Sequence, residues 1–131
     1  MSFQLSFTER ITFQDSPGAL ITLLLGGYEV DMPVLIDTGA ELSLLDGVHA
    51  RSAGLDIFQG RPRAFQGFLG ARTVAYQHPA RLRLGSLRLD CELAFSTQPL
   101  LRQVLGLDVL QHLRFGLDQG SREMYLALRP G

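Results

Sequence analysis

A single cysteine in 131 residues excludes an internal disulfide framework and a cysteine-rich metal site. Basic clusters are missing as well, and the formal net charge is −1, so nothing in the chain calls for nucleic acid or an anionic membrane surface. Long apolar runs are also absent: the stretch at residues 19–25 is far too short to cross a bilayer. Met1-Ser2-Phe3-Gln4-Leu5-Ser6 alternates and lacks the cationic region and uninterrupted apolar block of a secretion signal, so the expected location is the cytoplasm. His49, His78 and His112 have no metal-ligand spacing and stand near no nucleophile motif, so neither a metal nor an organic cofactor is expected.

What the chain has is apolar residues, 46% of the total, enough for one real core. Its length is that of one domain spanning residues 1–131. The apolar residues recur with the period of strands. Phe3, Leu5, Phe7, Ile11 and Phe13 alternate with polar neighbours, with a break near Glu9-Arg10. Asp15-Ser16-Pro17-Gly18 turns the chain, and two apolar arms at residues 19–25 and 28–36 flank Gly26-Gly27, a strong hairpin signal. Residues 76–84 and 87–95 repeat the pattern around Gly85-Ser86. Within the second arm the odd positions are all apolar, which puts Cys91 on the core face as a packing residue rather than a nucleophile.

The remaining elements are shorter. Residues 41–45 read as a strand, Asp46 and Gly54 bracket a brief helix, and strands resume at Leu55. Residues 100–113 read as a buried strand running into an amphipathic helix carrying Leu107, Leu110 and Leu113. A last hairpin turns at Gln119-Gly120. Many short strands with one or two short helices describe a small, closed, mostly β domain.

The chemistry concentrates at Val34-Leu35-Ile36-Asp37-Thr38-Gly39-Ala40. A strand buried on both faces delivers a carboxylate into a tight turn, where it must find a partner or shift its pKa. Thr38 adds a hydroxyl, Gly39 permits close backbone approach and Ala40 keeps the floor shallow. Asp31, Asp46, Asp56, Asp90, Asp108 and Asp118 fall at polar positions or turns, where capping or solvation is the usual role, and Asp108 is read as stabilising a helix start. In Ala64-Phe65-Gln66-Gly67-Phe68-Leu69-Gly70-Ala71, two glycines surround two large apolar residues at a hairpin tip. That makes sense if the hairpin closes over a ligand.

Residues 34–40 resemble the signature of the retropepsins, the single-domain aspartic proteases of retroviral type: two apolar residues, then Asp, Thr or Ser, Gly and Ala. Val104-Leu105-Gly106-Leu107-Asp108-Val109-Leu110 is similar to the segment preceding their helix, with Leu107 where many relatives carry arginine. The departure removes an ion pair to Glu41. The resemblance implies a retropepsin-like β-barrel and an aspartic endopeptidase with Asp37 as catalytic acid and Thr38, Gly39 and Ala40 as its loop. It implies Phe65, Gly67, Phe68, Leu69 and Gly70 as a flap over a peptide substrate, and Gly106 and Asp108 as structural support. One Asp-Thr-Gly in so short a chain implies a homodimer, each copy giving half of a carboxylate dyad. Two further readings stand beside it: a catalytically inactive dimerisation or peptide-binding domain of the same shape, and a small barrel for an apolar ligand.

Overall fold

The computed structural model describes residues 6–66 and 72–130. Its strands are β1 (Glu9–Thr12), β2 (Gly18–Leu25), β3 (Tyr28–Ile36), β4 (Leu44–Asp46), β5 (Arg61–Gln66), β6 (Arg72–Leu84), β7 (Leu87–Ser96), β8 (Val104–Leu105), β9 (Leu113–Asp118) and β10 (Glu123–Leu128). Two short helices, α1 (Val48–Ser52) and α2 (Leu107–Leu110), and a 3-10 turn, Ile57–Gln59, complete it. The mostly β architecture matches the expectation. Phe3 and Leu5, assigned to the first strand, lie outside the described residues.

The strands form two sheets. Seven run in the order β2-β3-β8-β4-β7-β6-β5, and an added pairing of β2 with β6, Leu23 opposite Leu82, brings this sheet back on itself. The other sheet has the order β1-β10-β9. Both glycine-marked hairpins fold as read: β2–β3 turns at Gly26 and β6–β7 at Gly85, each glycine at a φ near +60° that side chains rarely adopt. Ile21, Leu23, Leu45, Leu82, Leu84, Leu93, Phe95 and Leu105 fill the interior, each fully buried. A space packed with side chains speaks against the barrel for an apolar ligand.

Four local readings need correction. The strand expected from Glu41 begins at Leu44, because the backbone of residues 40–43 is engaged elsewhere: the Ala40 and Glu41 carbonyls accept Leu107 N and Asp108 N, and Ser43 N donates to the Asp108 carboxylate. At Leu55 no strand resumes; Asp56 Oδ1 accepts Phe58 N and turns the chain through the 3-10 segment first. The buried strand expected from Leu100 contracts to Val104–Leu105, and Leu101 stands fully exposed. The following helix is one turn long, so Leu113 belongs to β9 rather than to a helical stripe. The last hairpin forms around Gln119-Gly120 as read, its turn spanning residues 119–122 with a positive φ at Arg122 and Asp118 Oδ1 accepting Ser121 N at 3.2 Å.

Candidate active site

Val34 and Ile36 are buried on β3, whose end is gripped from both sides. Pro17 O accepts Ile36 N at 2.8 Å, and Leu105 O accepts Asp37 N at 3.0 Å where β8 runs parallel to β3. The chain therefore leaves the sheet at a fixed point, and the side chain that leaves with it is Asp37. Its carboxylate is half-buried rather than enclosed, and Oδ1 accepts Gly39 N at 2.8 Å. A Cβ on Gly39 would stand 3.2 Å from that oxygen, so glycine is what lets the amide approach. Ala40 N donates to Asp37 O at 3.2 Å and closes the turn, leaving Thr38 and Gly39 exposed.

Beneath the turn lies a second layer. A Cβ on Gly106 would fall 2.5 Å from Ala40 O and 3.0 Å from Leu42 O, both backbone atoms, so only glycine fits there. Asp108 does stand in the first turn of α2, as read, but its carboxylate caps no helical amide. It accepts Ser43 N at 3.0 and 3.1 Å and Ser43 Oγ at 2.6 Å, while Ser43 Oγ accepts Gly106 N at 2.9 Å. Gly106 and Asp108 thus act together, through a fully buried Ser43, to hold the segment that follows the Asp37 loop. Ser43 was missed in the sequence. The signal for it is a lone hydroxyl inside Leu42-Ser43-Leu44-Leu45, where a polar group needs a partner.

Of the residues assigned to the covering hairpin, Phe65 is half-buried on β5, which pairs with β6 from Arg61↔Gln77 to Gln66↔Arg72. Gly67, Phe68, Leu69 and Gly70 lie outside the described residues. The base of this hairpin is locked. His78, buried on β6, donates Nε2–H to Ile57 O at 2.7 Å, and Phe58 stacks edge-on against Tyr76 with ring centroids 5.2 Å apart. A cleft beside β3 is lined by Pro33, Leu35, Val48, His49, Leu101 and Arg102. Gln103 braces it, donating Nε2–H to Pro33 O at 3.1 Å and accepting Asp46 N at 3.0 Å, a role with no signal in the sequence. Among the described residues no three His, Cys, Asp or Glu side chains converge as a metal site.

None of the curated protein sequences matches this chain. Residues 21–112, well over half of it, match the family model described as "gag-polyprotein putative aspartyl protease". Among solved structures, EIAV protease complexed with the inhibitor HBY-793 is similar over 77% of this chain and 92% of its own, at 20% identity and a TM-score of 0.53. A retropepsin-like aspartic protease from Rickettsia conorii is similar over 95% of this chain and 96% of its own, at 16% identity and a TM-score of 0.61. Identities this low speak for the fold alone, while the family match covers both the Asp37 loop and the Gly106–Asp108 support. The chain belongs to the gag-polyprotein aspartyl protease family and has the retropepsin-like fold of aspartic proteases.

Proposed function

We propose that this protein is an aspartic endopeptidase that works as a homodimer, with Asp37 of each copy forming a shared dyad. The observation that carries the reading is the Asp37 carboxylate, set at the end of β3 just past the buried Val34 and Ile36, with Oδ1 accepting Gly39 N and Oδ2 accepting no hydrogen bond among the described residues. As the aspartic-protease class illustrates, two carboxylates held about 3 Å apart cannot both ionise, so one keeps a proton. The protonated acid donates to the scissile carbonyl while its ionised partner takes a proton from water. The hydroxide so formed adds to the carbonyl carbon, and a proton passes to the leaving amine as the C–N bond breaks. Thr38 ties the two loops across the axis, Gly39 bonds the substrate backbone, and the hairpin carrying Phe65 covers the peptide. This chemistry uses no metal or organic cofactor.

The test is cleavage of casein or a random peptide library across pH 4 to 7 by wild type and by Asp37→Asn, with gel filtration at several concentrations. Cleavage vanishing in the variant, with its fold intact, is the expected result. Equal cleavage by both proteins marks a contaminant, and an active strict monomer contradicts the shared dyad.

A further inference from the structure

We infer that the substrate is a peptide carrying an acidic side chain close to the scissile bond, and that Arg63, on the hairpin that covers the peptide, recognises that acid. The inference rests on the peptide-cleaving reading above and names the substrate class for that same site.

Strand register puts Arg63 on the side of the sheet from which Asp37 projects. Register partners present their side chains to one face of a sheet, and alternate residues of a strand do the same. Leu35 stands opposite Val104, Val104 opposite Leu44, Leu44 opposite Ala94, Ala94 opposite Gln77 and Gln77 opposite Arg61. Asp37 is two residues on from Leu35, while Arg63 and Phe65 follow Arg61 by two and four. All belong to the face opposite the buried Ile36, Leu45 and Leu105. On that face Leu35, Val104, Leu44 and Phe65 are only half-buried, an apolar strip that leads from Asp37 toward two arginines.

The guanidinium of Arg63 is aimed in advance. Gln77, buried on β6, accepts Arg63 Nε–H at 3.0 Å and Arg61 Nη2–H at 2.8 Å, both at its Oε1. A long side chain fixed in this way loses less freedom when a ligand binds. The two arginines differ in what else they meet. Glu92 stands 3.6 Å from Arg61, whereas no acid lies within 4 Å of Arg63 among the described residues. Asp46, the acid opposite Ser96 on the same face, has its oxygens taken by Val48 N and Leu100 N. With Nε engaged, the two terminal nitrogens of Arg63 present the paired donors that fit a carboxylate. Five strand steps of about 4.8 Å separate β3 from β5 along the curved sheet, and an extended peptide advances about 3.3 Å per residue. Less the length of the two side chains, the acid falls within about five residues of the scissile bond.

Charge substitution on both partners tests this assignment. Random-library peptides retained by Asp37→Asn are sequenced, and one is remade with Glu, Gln or Lys walked along its length. Binding to Asp37→Asn is read by fluorescence anisotropy and cleavage by wild type is read as kcat/KM. At one position Glu should exceed Lys about tenfold in both, and less at high salt. Adding Arg63→Gln should erase that ratio and Arg63→Glu should reverse it, while Arg61→Gln should keep it; thermal unfolding midpoints monitor folding. A library from which nothing is retained, the lack of any position that favours Glu, or a preference that survives Arg63→Gln overturns the inference. Acid-selective binding without cleavage removes the dyad reading alone, and Asp37-dependent cleavage indifferent to charge removes this one alone.

Discussion

Asp37 and Ser43 show how differently two polar residues of one short segment are treated. Asp37 keeps oxygen surface open to solvent, whereas every polar atom of the Ser43 hydroxyl is answered, by Asp108 and by Gly106 N. Sequence made the first visible because an acid after an apolar strand is out of place; it hid the second because the partner lies 65 residues away. Cys91 carries a pH effect that can be read with its sign. Burial first, then the negative charges of Asp108 and Asp90, push its thiol up to about 12. The folded state therefore holds this proton more tightly than the unfolded chain, where a thiol titrates near about 8.5. Stability is unaffected well below that value and declines as pH climbs above it. Urea midpoints from pH 8 to 10.5 should fall more steeply for wild type than for Cys91→Ser, and alkylation of the native thiol at pH 8 should be slow.

Hairpins were the most legible elements, because Gly26 and Gly85 mark turns whose φ values only glycine adopts freely. The elements that misled are those fixed from a distance. The segment after Ala40 has the composition of a strand, yet its backbone is claimed by α2, and residues 55–60 make a turn held by His78 from β6. That turn carries its own test. A Cβ on Gly60 would lie 2.7 Å from Gln77 O and overlap the His78 ring, so Gly60→Ala should cost about 1–3 kcal/mol of stability in urea unfolding. A Cβ on Gly27 meets nothing within 4 Å, so Gly27→Ala should stay within about 0.5 kcal/mol of wild type. Equal effects would mean that the His78 contact does not hold the base of the hairpin.

At the scale of the molecule, strand spacing and apolar content foretold a small, mostly β domain, and the Asp37 and Gly106 motifs foretold its relatives. The pairing that returns the sheet on itself, β2 with β6, was invisible, since it joins strands about 60 residues apart. So was the sheet that sets β10 between β1 and β9. The layer under Asp37 has a kinetic consequence. Ala40 O is bonded to Leu107 N, and Ser43 to Gly106 and Asp108, all within a single chain, so on the proposed reading each half of a shared dyad is assembled before any second molecule arrives. Encounter, not refolding, is then the slow step toward activity. At concentrations well below the dissociation constant, initial cleavage rates should rise with the square of enzyme concentration; a linear dependence throughout would contradict this. A protease of the proposed kind would be governed by abundance: scarce copies idle, and wherever many are gathered in a small volume they ignite together.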